Sequence, residues 1–489
     1  MGTTSTAGFG AQEQHEHKLE AGALHFLDSV VMAVAGSAPA YSISATTAVI
    51  VGAVGLASPA ALLWCGIPML GISVAYHQLN KMGADAGAAY AWVGKVLHPY
   101  LGFLAGWCLV VSATIFMVAG SLPAGQATLS LFSAHLSTEA GWYTAVGAVW
   151  FLVMAVFVAR GVRITANAQW VMSSIEILLL IVFVVLGFAH GHKVMGFSWS
   201  WLWFSHFGSA GKFADGALLA AFYYWGWDVA SNLGEETSNS ERNSGAGGIA
   251  SVIICLILFE LFTIVINMDL SQKAVTGGAV NPLQGLGQVV GSSAGAKLMV
   301  IALMLSTIAT LETTLIQVTR SLFSMAREHT LPGPFGRLRP GWNTPVFATV
   351  VVSIVSLATF IAANFVGGIN TILLDAESAI DLQISIYYAL AGFAAVVAFR
   401  RYALRSAKNL LLMCLFPLLG ACFMLYIFVE ALATGTVSGV AVWLGVGGMV
   451  IAIGPIAYYG IKGSAYLRQK PTLGRVDIGT PVSGAEMIV

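Results

Sequence analysis

The sequence predicts an all-α integral membrane protein. It is expected to have twelve transmembrane helices: a five-plus-five inverted repeat with discontinuous helices 1 and 6, then two C-terminal helices. Three observations predict this. Hydrophobic residues make up 57% of the 489 and charged residues only 9%, against about 25% charged in a soluble domain. Apolar runs long enough to cross a bilayer recur along nearly the whole chain. The first and sixth of these runs are each interrupted near the middle, and paired interruptions in two halves are a mark of internally repeated membrane proteins.

Read by the window logic of membrane spans, the runs fall at 24–56, 59–80, 95–130, 142–159, 168–190, 213–234, 248–268, 284–326, 345–365, 368–399, 409–433 and 437–461. An even number puts both termini on one side. If that side is cytoplasmic, only Lys193, Lys212, Lys273 and Lys297 of the 22 Lys and Arg residues lie outside. The positive-inside rule therefore assigns both termini to the cytoplasm of a multi-pass protein of the cell (plasma or inner) membrane. The expected layout is a cytoplasmic tail over 1–23, a first five-helix repeat over 24–190 and an extracellular aromatic loop over 191–212. A second repeat over 213–399, helices 11 and 12 over 400–461 and a cytoplasmic tail over 462–489 follow. Residues 1–23 are polar and the first apolar run is too long for a cleavable signal peptide.

Composition also excludes. Acidic and basic residues balance at 22 each, and no basic patch supports nucleic-acid binding. The five cysteines all sit in apolar runs without metal spacing, so no metal site is expected and they read as small buried residues. No nucleophile–base pair is visible, so an enzyme is not expected.

The first run carries the stretch Met32–Thr46, MAVAGSAPAYSISAT. Pro39 lacks a backbone donor and disfavours helix at Ala38, and Gly36 tolerates unusual dihedrals. Broken helix at mid-membrane must line a cavity or be buried in protein. The stretch is either a substrate site or a proline kink that neighbouring helices re-satisfy. The sixth run breaks at Trp225-Gly226-Trp227-Asp228. Two breaks at matching positions favour the cavity.

Ionisable residues inside the runs are nearly all acidic: Glu176, Asp228, Glu260, Glu312 and Asp381, with Asp375 and Glu377 near the start of run ten. Lys and Arg are expected at run ends or in loops. Buried acids can be protonated, bind a cation or meet a cationic substrate, or be held neutral by a neighbouring helix. Glu176 has no cation near it in sequence. Run eight offers a polar stripe of Ser306, Thr310, Thr313, Thr314 and Gln317 at helical spacing. It either coordinates a small cation or bonds back to its own helix. Tyr223, Tyr224, Trp225 and Trp227 offer either a cation–π wall or plain packing. Glu235-Glu236, with Arg242 nearby, reads as a solvated end or a salt-bridge gate. Phe197–Phe204 reads as an interfacial belt or a short re-entrant segment.

Several motifs now stand in order: GADAGAAYAW at 83–92, HPYLGFLAGW at 98–107, Gly226-Trp227-Asp228, Glu235-Glu236-Thr237, RSLFSMARE at 320–328, Leu331-Pro332 and Thr344-Pro345. Together they resemble the amino acid–polyamine–organocation superfamily of transporters, from about residue 20 to 465. The resemblance implies the leucine-transporter fold. It implies that the N–H groups of Ser37, Ala38, Ala40 and Tyr41 face a substrate carboxylate, and that the carbonyls of Phe222, Tyr223 and Trp225 face its ammonium. Pro39 cannot donate and would bend the site. The break Gly36-Ser37-Ala38-Pro39-Ala40 is more similar to bacterial importers of putrescine and related amines than to glycine-rich members. Some proton-coupled members carry a lysine in span 5 where Glu176 aligns here, so the charge is reversed.

The expected function is secondary active import of an amino acid or related organic amine by alternating access. The proton is the expected coupling ion, with sodium not excluded, and no other cofactor is expected. Coupling is assigned to Glu176, Thr313, Thr314 and Asp228, and the helix breaks to Gly36, Pro39 and Gly226. The acidic interior tilts the substrate toward a cation. An amine or amino acid exchanger without net ion coupling, and a non-transporting sensor, remain as alternatives. Expected partners are the small substrate and the lipid bilayer, with monomer or homodimer left open.

Overall fold

The computed structural model describes residues 18–277, 281–363, 368–435 and 437–472. The outer parts of both predicted tails, 1–17 and 473–489, and the end of the ninth run lie outside the described residues. The chain runs through α1 (Phe26–Ser37), α2 (Pro39–Val54), α3 (Ser58–Asn80), α4 (Ala89–Val96), α5 (Pro99–Ser130), α6 (Ala140–Arg160) and α7 (Val162–His190). It continues through α8 (Ala210–Tyr223), α9 (Val229–Asn232), α10 (Ser240–Asp269), α11 (Gln272–Thr276), α12 (Pro282–Arg327), α13 (Val346–Ala363) and α14 (Ile369–Ala403). It ends with α15 (Ala407–Leu410), a π turn (Leu411–Leu415), α16 (Phe416–Ala433), α17 (Gly439–Ile451), α18 (Ile453–Ile461) and α19 (Ala465–Arg468). Among the described residues there is no strand, only two isolated bridges.

Among the described residues, ten helical stretches are long and apolar enough to cross a membrane. The first, Phe26–Asn80, is 55 residues long and contains α1 to α3. The sixth predicted run is not among the ten, because its break leaves α8 only 14 residues. The architecture is inverted relative to a soluble protein. Leu152, Val156, Leu178, Val185, Ile354 and Trp443 face outward, while Glu176, Asp228, Glu312, Gln317 and Asp381 are buried. That is the arrangement a hydrocarbon solvent requires.

The helices extend past the apolar runs. α7 begins at Val162 rather than 168 and α10 at Ser240 rather than 248, because polar turns continue a helix beyond the apolar core. The third run is split: α4 stops at Val96 and α5 starts at Pro99, with His98 extended at its N-cap. α12 changes direction at Gly291 and Ser292, whose backbone is non-helical. Its extension through Arg327 corrects the expectation that basic groups stay at run ends or in loops. Arg320 is fully buried, and its guanidinium makes two 2.9 Å bonds to Glu236.

α12 packs on α5 and α7, α10 on α3 and α1, and α14 on α5 and α16. These long helices form a cage around α1, α2, α8 and α9. The aromatic segment makes two short 3-10 turns, Trp199–Leu202 and Phe204–His206. Trp201 is buried with Ile264 and Met268. Trp64 on α3 donates its indole N–H to the Leu202 carbonyl at 3.1 Å. The segment therefore docks on helix ends, with Trp199 and Trp203 left exposed.

Candidate functional site

The site is built where α1 gives way to α2. A single residue makes the break: Ala38 is left-handed, with φ 47° and ψ 63°. Pro39 is displaced from the interior of a helix, where it would remove a bond, to the first turn of α2, where its missing N–H costs nothing. Proline thus starts the second half rather than kinking the first.

A break in a membrane leaves backbone groups to be satisfied, and each one here has a partner. The Ala38 N–H bonds the carbonyls of Val34 and Ala35. The Gly36 carbonyl accepts from the Thr310 hydroxyl at 3.2 Å, and the Ser37 carbonyl from the Ser42 hydroxyl at 3.0 Å. On α2, the Ala40 N–H donates to Glu176 Oε1 at 2.9 Å and the Tyr41 N–H to Ser306 Oγ at 3.1 Å. The Ser42 N–H returns to the Ala38 carbonyl at 2.8 Å. Backbone donors expected to face a substrate carboxylate are therefore occupied, one of them by the chain's own carboxylate. Glu176 is buried, and its Oε2 has no hydrogen-bond partner.

The second break lies between α8 and α9. The Phe222 carbonyl accepts the Trp225 N–H at 3.2 Å, and Gly226 takes φ 97°. The two breaks touch glycine to glycine. A Cβ on Gly36 would fall on the Gly226 carbonyl, and one on Gly226 would fall on the Gly36 carbonyl, in both cases far inside van der Waals contact. Ser37 turns its hydroxyl back to Ala33 at 3.2 Å.

Aromatic rings close the space beside the breaks. Tyr41 stands edge-on to Phe116 at 5.9 Å and to Phe222 at 6.2 Å. Phe116 meets Trp225 edge-on at 5.4 Å. The Tyr41 hydroxyl donates to Glu377 Oε1 at 3.3 Å. Trp225 Nε1 donates to Tyr387 at 2.7 Å, while Tyr223 and Thr47 share a 2.7 Å bond. Such ring faces and acidic groups are the materials of an ammonium pocket.

The expected coupling residues separate. Glu176 meets α12 through Ser306 and the break through Ala40. Thr313 bonds back to Ala309 and Thr310 of its own helix, both at 3.2 Å, and Thr314 is buried on the same helix. Ser306 and Thr310, not Thr313, carry that helix's bonds to the break. Asp228 is bonded by Tyr387 at 3.3 Å and Tyr388 at 3.0 Å, both on α14. The structure thus groups Asp228 with a tyrosine cluster rather than with Glu176. Phe116, Tyr387 and Tyr388 were missed in the sequence, where they are ordinary aromatics in apolar runs. No motif spacing distinguishes them; only the packing of α5 and α14 on the breaks does.

At the arginine-bearing end, Glu235 and Glu236 meet Arg327 and Arg320 rather than Arg242. Arg327 bridges Glu235 at 2.7 Å and Asp85 at 3.0 Å. The Asn232 amide bonds the Ala86 carbonyl at 2.8 Å, Ser321 at 3.0 Å and Gln317 at 3.0 Å. This layer closes one end of the site. Among the described residues no group of His, Cys, Asp and Glu is arranged to hold a metal ion.

Comparison with known proteins adds an independent line. Residues 24–454 match the family model described as amino acid permease. The chain is 25% identical over 307 residues to the methylthioribose transporter of Bacillus subtilis, covering 60% of this chain and 64% of that one. It is 26% identical over 317 residues to the low-affinity putrescine importer PlaP of Escherichia coli, covering 63% and 67%. It is 24% identical over 293 residues to the branched-chain amino acid permease BcaP of Bacillus subtilis, covering 57% and 61%.

Proposed function

The chain belongs to the amino acid permease family, within the amino acid–polyamine–organocation superfamily, and from that premise we propose that it is a proton-coupled secondary transporter importing an organic amine by alternating access. The substrate sits between the α1–α2 and α8–α9 breaks, against Tyr41, Phe116, Phe222 and Trp225. Twelve crossings follow if Phe26–Asn80 crosses twice and the α8–α9 pair once, giving two five-helix units of opposite direction plus two helices. The Lys and Arg distribution then puts both termini in the cytoplasm of the cell membrane.

One observation carries the substrate reading: the Ala40 N–H is bonded to Glu176. In an amino acid transporter of this fold, the start of α2 would hold the substrate's carboxylate, where a helix N-terminus favours an anion. Here a resident carboxylate fills that place. An amine without a carboxylate leaves it undisturbed, and Glu377 and the ring faces answer its positive charge. The putrescine importer among the relatives is consistent with this class. Glu176 also serves as the coupling group, its unpartnered Oε2 being the atom that takes a proton.

Uptake into proteoliposomes tests both parts. Labelled putrescine should accumulate under an inward proton gradient and be competed by other amines. Competition by neutral amino acids alone would defeat the amine reading. Glu176→Gln should abolish pH-driven accumulation, and full accumulation in that variant would remove Glu176 from the coupling.

A further inference from the structure

A column of buried polar groups runs from Glu176 along α7 toward its Arg163 end. Gln169, Ser173 and Glu176 recur at spacings of four and three, which places them on one face of the helix. All three are buried. Glu312 enters from α12 opposite Gln169, whose Nε2 donates to Glu312 Oε2 at 2.6 Å and to the Ala309 carbonyl at 2.9 Å. Thr165 also lies against Glu312, and its hydroxyl bonds the Gly161 carbonyl at 3.2 Å, at the start of α7. α7 and α12 run antiparallel here. Glu176 with Ser306 makes an upper rung and Gln169 with Glu312 a lower one, about 10 Å apart by helical rise.

Four atoms in this column are buried without a hydrogen-bond partner: Glu176 Oε2, Ser173 Oγ, Gln169 Oε1 and Glu312 Oε1. Buried polar atoms are normally satisfied, and a run of orphans marks a place for protons or ordered water. The side chains bonded to Glu312 are the neutral Gln169 and Thr165. The charged groups next along the helices are Asp28, bonded to Trp170 at 2.7 Å, and the Arg163–Glu20 pair at 2.6 Å. None of these supplies Glu312 with a counter-cation.

We propose that Glu312 is a second proton-carrying residue, which receives the proton from Glu176 and passes it toward the Arg163 end of the protein. This rests on the reading of Glu176 as the coupling group. In the step, the O–H bond at Glu176 Oε2 breaks and an O–H bond at Glu312 Oε1 forms. The proton crosses by exchange through hydrogen-bonded water and the Ser173 hydroxyl, so Glu176 ends as a carboxylate and Glu312 as the neutral acid. The Gln169 amide fixes the Glu312 carboxylate by its other oxygen and leaves Oε1 to accept. Release past Thr165 resets the pair.

Infrared difference spectra of the purified full chain in lipid nanodiscs, taken across a pH jump, test the relay without any substrate. The wild type should show carboxylic C=O bands from both residues. Glu312→Gln should remove one band, Glu312→Asp should restore a shifted one, and Glu176→Gln should remove the other and displace the Glu312 band. Absence of a Glu312 band, or a Glu312 band unmoved by Glu176→Gln, overturns the relay. Absence of a Glu176 band defeats the parent reading instead. In proteoliposomes, Glu312→Gln should lower proton-driven accumulation of labelled putrescine by about tenfold or more while counterflow exchange stays within about twofold. Full accumulation in Glu312→Gln overturns the relay even where Glu176→Gln is inactive.

Discussion

At the scale of single residues, Gly36 and Gly226 hold the breaks together because neither has room for a side chain. Gly36→Ala would drive a methyl group into a backbone carbonyl, which cannot rotate away. The variant should lose about 1–3 kcal/mol of stability to overpacking and most of its uptake, read by thermal unfolding in detergent and by transport. Ala38 presents the opposite case. Its left-handed conformation disfavours a Cβ, so Ala38→Gly should raise the unfolding midpoint, gaining about 1 kcal/mol. A lowered midpoint would show that the break depends on the methyl group. Glu176 was legible at this scale, as an acid alone in an apolar run. Its partner was not, because the Ala40 N–H lies 136 residues away in the chain.

At the scale of elements, the breaks are not weak points. Each backbone group freed between α1 and α2 is taken up by a neighbour from α7, α12 or the break itself. The sequence located both interruptions, since Pro39 and Gly226 are punctuators in otherwise continuous apolar runs. It left open whether Pro39 kinks one helix or separates two, because a proline can do either, and only the dihedral of Ala38 decides. The buried pair of Arg320 with Glu236 ties α12 to the turn after α9. Removing one partner strands a buried charge, so Arg320→Gln should cost about 3–5 kcal/mol. An unfolding midpoint close to wild type would show that water reaches Glu236.

At the scale of the whole molecule, a layer of ion pairs and buried amides lies beside the two breaks. Arg327, Glu235 and Asp85 cover one end, with Asn232 and Gln317 buried behind them. The alternating access proposed above requires this layer to open. Cys255, buried 4.0 Å from Ser251 and lying against Ser37, reports on it. In a chain whose Cys414 and Cys422 are replaced by serine, Arg327→Ala should raise the maleimide labelling rate of Cys255 several-fold. An unchanged rate would place the closure elsewhere, at the buried Arg320–Glu236 pair.

What the sequence determined by itself is what composition and local chain chemistry can encode. A membrane solvent, the positions of the apolar helices, two interrupted runs and an unusual acid in the fifth run are all properties of neighbours along the chain. What tertiary structure decided is which distant groups meet. Glu176 caps α2, Asp228 belongs to the tyrosines of α14, and Glu312 stands opposite Gln169. These pairings depend on how α7, α12 and α14 pack around the breaks. A buried polar group takes whichever partner the packing brings within about 3 Å, and no spacing in a single chain segment specifies that partner.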